Sequence, residues 1–473
     1  MTKYSITELR FMLDKRLISA PELAKIILDR IAESDSKLNS YITVCEKEAL
    51  ADAERAQKMI DSGNARMLTG IPISVKDNIC TKDIRTTCGS KMLSDFVPFY
   101  DAAAVERLKN EGCVIPGKTN MDEFAMGSSS QTSYFGGVKN PLDPTRSPGG
   151  SSGGAAAAVA AGLCIAALGT DTGGSVRQPA AFCGAVGLCP TYGTVSRYGL
   201  IAFASSLDRI GIIASWARDC AFMLDAISGR DERDATSSDT NGGYAAKCGS
   251  SMRGIRIGLP KEFLDASDTE VSRAVIRAAN FYRGCGCEIV ECPLPSLKYA
   301  VSAYYLISSA EAAANLARFD GMKYGHRSDK GNDHAENTAK SRAEGFGREV
   351  KRRIMLGNYA LSAGYYDEYY MNALRVRNKI KEEYAKIFES CDVILAPTAP
   401  TAAPVLGEIE NDPVKMYASD ICTVPSSIAG LPSISAVCGY DRDGMPIGMS
   451  LTGRAFDEAT IIALCEKTEG VLS

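Results

Sequence analysis

The sequence predicts an α/β protein built about one largely parallel sheet. Two observations carry that expectation. Short apolar runs bounded by Gly or Pro alternate with longer amphipathic runs, as strand–helix–strand units do. After a polar interval, Ser228–Gly254, the alternation resumes with the same character and no fixed-period repeat, so the second block is expected to complete the sheet of the first. At 473 residues, 45% hydrophobic and 23% charged, the chain has an ordinary globular balance. Its organisation reads as a helical segment over about 1–65, a core over about 66–228 and the second block over about 254–473, all within one domain.

Ser19-Ala20-Pro21-Glu22 is a capping box with proline in the first turn, and Leu23, Ile26, Ile27 and Ile31 follow on one helical face. A charged helix is expected over about Glu46–Ser62. Gly70-Ile71-Pro72-Ile73-Ser74-Val75 is the first buried strand, and it closes on Lys76. A lysine there can simply snorkel to solvent. Next come a helix at Ala102–Asn110, a strand at Cys113–Gly117 and a Ser-rich loop, Gly127–Ser133. The second block offers strands at Ile255–Leu259, Glu288–Cys292, Val393–Pro397, Ile434–Cys438 and Ile447–Leu451, a helix near 270–283 and a closing helix over about Glu458–Glu469.

The chain is organised around Arg146–Gly187, RSPGGSSGGAAAAVAAGLCIAALGTDTGGSVRQPAAFCGAVG. Two Gly-Gly-Ser nodes, ending in Ser151 and Ser175, lie 24 residues apart. The Ala-rich run between them, Ala155–Ala167, has the composition of a buried helix and is too short to span a membrane. Glycine admits positive φ and close approach, and successive free N–H groups form an anion nest. Two hydroxyls on such turns suit a nucleophile and its relay. GGSSGG also suits a flexible linker or a phosphate cradle, although neither G-x-x-x-x-G-K-[ST] nor a strand-borne G-x-G-x-x-G is present.

Charge and rare residues exclude several classes. A net charge of -4 and a pI near 5.6 leave no basic footprint for nucleic acid, so a role near RNA needs a partner. Met1 leads directly into Thr2-Lys3-Tyr4 and no run of eighteen apolar residues follows, which predicts a cytoplasmic protein. The sixteen cysteines form no C-x-x-C pair and many sit in apolar runs, so reduced core thiols are expected, with no metal. The only histidines, His326 and His334, lie in the polar stretch GHRSDKGNDHAENTAK, read as a mobile loop. A Ser-His-Asp relay needs a packed imidazole. A serine nucleophile here needs another base, and a lysine deprotonated by burial is the main alternative.

Lys76 after G-I-P-I-S-V, then GGSSGG, then GTDTGGSVRQPAAFCG, resembles the amidase signature family over most of the chain. The resemblance implies the amidase signature fold, a large mixed, mostly parallel twisted sheet covered by helices on both faces. It also implies a Ser-cisSer-Lys triad of Ser175 (nucleophile), Ser151 (relay, after a cis peptide bond) and Lys76 (base). The backbone N–H groups of Thr172, Gly173, Gly174 and Ser175 would form the oxyanion hole. Within the family, KDNICTKDIRTTCGSKML, TNMDEFAMGSSSQTSYFG, PTYGTVSRYGLIAFASSLDRIG, EGFGREVKRRIMLGNYALSAGYYD and MYASDICTVPSSIAGLPSIS are similar to the glutaminases of bacterial tRNA-dependent amidotransferases.

That branch implies free glutamine as substrate, its α-carboxylate on Arg353, its ammonium on Asp420 and Tyr304 lining the site. Without the family, Arg353 reads as part of a solvated basic cluster and Asp420 as a helix cap. The branch also implies a heterotrimer completed by B and C subunits. Ammonia would pass to a partner that amidates Glu-tRNA(Gln), and in some systems Asp-tRNA(Asn). ATP, magnesium and tRNA contacts would belong to that partner, leaving no cofactor in this chain. A stand-alone amidase for a small or aryl amide is the alternative, and an inactive scaffold is a third reading that the intact triad opposes. Cys189, Thr194, Ile212 and Ala155 depart from the usual Lys, Arg, Pro and Ser.

Overall fold

A computed structural model describes residues 4–408 and 412–472. The polar start Met1-Thr2-Lys3 lies outside the described residues. Eleven strands form one sheet: β1 (Tyr41–Val44), β2 (Ile73–Lys76), β3 (Gly117–Thr119), β4 (Ala166–Asp171), β5 (Val186–Cys189), β6 (Arg209–Ala214), β7 (Arg256–Leu259), β8 (Glu288–Glu291), β9 (Val393–Pro397), β10 (Ser433–Tyr440) and β11 (Pro446–Gly453). Their order is β1-β3-β2-β4-β6-β5-β10-β11-β9-β7-β8, so the second block does complete the sheet of the first.

The sheet is mixed and flanked by helices, as expected, but parallel pairs are the minority. Four neighbour pairs are parallel and six antiparallel. β10 and β11 form a hairpin closed by Asp441 N–H to Met445 O. β5 and β6 pair antiparallel across a segment, 190–208, that contains no crossover helix. Parallel neighbours need such a crossover and antiparallel ones do not.

Local chemistry explains the other outcomes. The Ser19–Glu22 capping box is present and starts the helix Ala20–Leu38, which buries Leu23, Ile27 and Ile31. The Ala-rich run is buried except at Ala160 and Ala161, which are half-buried, yet it splits. Its helix covers only Gly153–Ala160, Gly162 turns at φ 68, and Ala166 and Ala167 open β4. The strand expected over Cys113–Gly117 begins only at Gly117; Pro116, without an N–H, interrupts the ladder, and Val114 makes a single bridge to Pro72. The polar histidine stretch is helical from His334 onward: Asp333 caps His334–Gly345 through Glu336 N–H. All sixteen cysteines are free thiols, fourteen of them buried.

β2 and β4 are parallel neighbours in the register Val75↔Leu168. Lys76 and Asp171 therefore end at the same edge, where open α/β sheets leave a crevice for ligands.

Candidate active site

Lys76 is wholly buried at the end of β2. Its Nζ lies 2.8 Å from Ser151 Oγ, 2.8 Å from Ser152 Oγ and 2.9 Å from Thr170 Oγ1. Burial lowers its pKa to about 7, against the opposing pull of Asp122, Asp171 and Asp208. The adjacent Asp77 does not restore the charge, because alternate residues of a strand face opposite ways. Its carboxylate accepts from Thr87 N at 2.8 Å and lies 3.9 Å from the ammonium of Lys118. Lys118 in turn donates to Ile79 O at 2.7 Å and Thr86 Oγ1 at 2.8 Å. Asp77 and Lys118 thus compensate each other on the far face of the strand.

The Gly150–Ser151 peptide bond is cis. Gly150 is required sterically, since a Cβ there would sit 2.2 Å from Asp122 Oδ2. Ser175 is 9% exposed while Lys76 and Ser151 are 0%, so the outermost of the three is the one expected to meet substrate. The structure joins Lys76 directly to Ser151, whereas Ser175 Oγ carries no hydrogen bond among the described residues. Its turn is tied to the first one through the backbone, Ser152 N–H to Ser175 O at 3.1 Å.

Asp171 holds that turn. It accepts from Gly174 N at 2.8 Å, Val176 N at 3.2 Å, Arg177 Nε at 2.9 Å and Arg177 Nη2 at 3.0 Å. Burial pushes its carboxyl up, and the guanidiniums of Arg177 and Arg209 more than reverse this, holding it well below the usual carboxylate range. The expectation for Gly174 is thereby corrected: its N–H is already satisfied by Asp171 and is not free for an oxyanion. The N–H groups of Thr172, Gly173 and Ser175 have no acceptor among the described residues and remain as donors.

Beside the turn lie two opposite charges. Arg353, 2% exposed, is neither solvated nor part of a surface cluster. The rings of Phe203, Tyr305 and Tyr417 enclose its guanidinium at 5.5, 4.8 and 5.4 Å. Its Nε donates to Glu349 Oε1 at 2.9 Å, and its two terminal nitrogens have no acceptor among the described residues. Asp420 is also buried and uses its carboxylate on side chains rather than as a cap. It accepts from Tyr305 OH at 2.6 Å and Ser128 Oγ at 3.0 Å. Burial raises its pKa to about 6 against those two donors. Tyr304 packs on the turn itself, where a Cβ at Gly173 would come 2.5 Å from its ring. Thr423 Oγ1 donates to Gly173 O at 2.6 Å, which ties the Asp420 segment to the Ser175 turn.

A profile of the amidase family matches residues 22–462. The chain belongs to the amidase family. It is 52% identical over 476 residues to the A subunit of the glutamyl-tRNA(Gln) amidotransferase of Ruminiclostridium cellulolyticum, covering 100% of this chain and 98% of that one. It is 52% identical over 466 residues to the protein of the same name from Caldanaerobacter subterraneus, covering 98% and 95%. Among solved structures, the A subunit of the glutamyl-tRNA(Gln) amidotransferase of Thermotoga maritima superposes with a TM-score of 0.83 at 38% identity, over 99% of this chain and 95% of that one. A peptide amidase complexed with chymostatin superposes at 0.82 and 29% identity, over 99% and 97%.

Sequence reasoning missed several residues of this amidase's site. Ser152 and Thr170 share Lys76; Ser128 and Tyr305 hold Asp420; Glu349 and Tyr417 border Arg353. The Ser151-Ser152 and Tyr304-Tyr305 doublets left two choices at each place, and helical spacing of four between Glu349 and Arg353 was a readable signal. The four departures, Ala155, Cys189, Thr194 and Ile212, are all buried within the chain. Thr194 Oγ1 donates to Glu458 Oε1 at 2.9 Å. Among the described residues, no cluster of His, Cys, Asp and Glu suits a metal ion, and no helix is long and apolar enough to cross a membrane. A cleft of about 1150 Å³, lined by Arg146, Gln178 and Arg442 among others, contains none of the residues above. The site is therefore assigned on hydrogen-bond geometry and not on cavity size.

Proposed function

We propose that this amidase is the glutamine-hydrolysing component of a cytoplasmic glutamyl-tRNA(Gln) amidotransferase. The observation that carries the reading is the buried pair Arg353 and Asp420, tied to the Ser175 turn through Thr423 and Tyr304. An α-amino acid zwitterion supplies a carboxylate for the guanidinium and an ammonium for the carboxylate. A stand-alone amidase for an uncharged amide has no use for two buried opposite charges. The names of the full-length relatives support the same reading.

In this mechanism Ser175 Oγ attacks the side-chain amide carbon of glutamine. Its proton moves to Ser151 Oγ as the Ser151 proton moves to neutral Lys76. The oxyanion is met by the N–H groups of Thr172, Gly173 and Ser175, each such donor being typically worth about 3 kcal/mol. Protonated Lys76 returns the proton through Ser151 to the leaving nitrogen, and ammonia departs. Water then attacks the glutamyl ester under the same base and releases glutamate and Ser175.

Ammonia passes to the partner that activates the tRNA-bound glutamate with ATP and magnesium; B and C subunits complete a heterotrimer. The chain's own charge of -4 supports leaving tRNA contacts to that partner. The test is Ser175→Ala in the copurified complex. Glutamine hydrolysis and glutamine-dependent amidation of Glu-tRNA(Gln) should vanish, while amidation from added ammonia persists. Normal glutaminase activity in Ser175→Ala refutes the nucleophile, and failure to copurify with the other subunits refutes the assembly.

A further inference from the structure

One carboxylate, Glu349, contacts the cation of the amino-acid grip and is linked to the anion through two tyrosines. It is the second residue of the helix Arg348–Leu361, and Arg353 lies one turn later on the same face. Glu349 Oε1 accepts from Arg353 Nε at 2.9 Å and from Tyr417 OH at 2.9 Å, while Oε2 accepts from Arg352. Tyr417 stacks on Tyr305 with ring centroids 3.8 Å apart, and Tyr305 OH donates to Asp420 at 2.6 Å. Glu349 is buried and leaves neither oxygen unpaired. The chain of contacts therefore runs from the partner of the cation to the holder of the anion.

Two consequences follow from donor geometry. A guanidinium presents five N–H groups in a rigid fork. With Nε occupied by Glu349, the fork is turned so that its terminal nitrogens are the free ones, the arrangement a carboxylate takes bidentately. Second, Tyr417 sits three residues before Asp420, so its bond to Glu349 links the helix that carries the cation to the segment that carries the anion.

We propose that Glu349 is a positioning residue for specificity: it orients Arg353 and spaces it from Asp420, so that the site prefers a free α-amino acid to an amide lacking the α-carboxylate. The proposal rests on the reading of Arg353 as the α-carboxylate partner. Glu349 itself does not touch substrate.

The test compares glutamine with glutaminamide, which lacks the α-carboxylate, in the assembled complex. Glu349→Ala should raise KM for glutamine about 10- to 100-fold with kcat changed less than about threefold, and should lower the glutamine-to-glutaminamide ratio of kcat/KM by at least about tenfold. Glu349→Gln keeps one acceptor oxygen for Arg353 Nε and should recover much of that ratio. Equal losses on both substrates, or an unchanged ratio in Glu349→Ala, overturn the proposal. Arg353→Ala separates the two failures. If it leaves glutamine KM unchanged, the α-carboxylate reading falls and takes Glu349 with it. If it raises KM while Glu349→Ala does not, only the positioning role is refuted.

Discussion

Replacing Lys76 tests rate and stability through one physical quantity, its depressed pKa. With the ordinary value of 10.5, roughly one amine in three thousand is free base at pH 7; with a value of about 7, roughly half is. Burial therefore supplies on the order of a thousandfold more base, at a cost to the fold of roughly 4–5 kcal/mol at pH 7. Contacts with the hydroxyls of Ser151, Ser152 and Thr170 offset this by about 1 kcal/mol each. Lys76→Met should thus be inactive in glutamine hydrolysis yet as stable as the parent, or more stable by up to about 2 kcal/mol. The folded value lies below the unfolded one, so the unfolded chain binds more protons between about pH 7 and 10.5. Parent stability should rise with pH across that window and lie flat below it, and Lys76→Met should lose the slope. The parent's kcat/KM should fall below about pH 7, and Lys76→Arg should be inactive because a guanidinium does not deprotonate. Glutaminase rates from pH 6 to 9 and thermal melts of the same preparations measure both arms. A flat pH profile in the parent, or near-normal hydrolysis by Lys76→Arg, refutes the base.

Two further outcomes follow from the supporting charges. Asp171→Asn leaves buried Arg177 uncompensated and loosens the hold on Gly174 and Val176 N–H, at about 3–5 kcal/mol. Its melting temperature should fall and glutamine hydrolysis with it; adding Arg177→Met should restore melting but not activity. Asp420, raised to about 6, is ionised above that value. Glutamine binding to the non-hydrolysing Ser175→Ala complex should weaken as pH falls through about 6, and Asp420→Asn should bind weakly with no such dependence. Calorimetric titrations between pH 5 and 8 decide this.

Much of the fold was legible because burial and the boundaries of elements are written locally. The Ser19 capping box, the strand ending on Lys76 and the second-block strands are set by neighbours in sequence, and all stand where the capping motif and the Gly- or Pro-bounded apolar runs put them. Strand polarity was not legible. A strand covered on both faces reads as an apolar run whether its neighbour is parallel or antiparallel, and only the connections across 190–208 and at Asp441–Met445 decide it. The Ala-rich run failed for a related reason: alanine suits a buried helix and a buried strand alike, and Gly162 alone marks the break.

In the site, residue types and turns were readable: with both histidines in a polar stretch, a buried lysine was the main alternative base for a glycine-flanked serine. The sequence by itself singled out Lys76, Ser151 and Ser175 as the groups proposed to react. Which donor meets which acceptor was decided only in three dimensions: Asp77 turned to Lys118, Asp171 claimed Gly174 N–H, and Glu349 claimed Arg353 Nε. Hydrogen bonds depend on tenths of an ångström and on direction. Those are set by the packing of segments up to hundreds of residues apart, such as Thr423 on Gly173, and no local pattern encodes them.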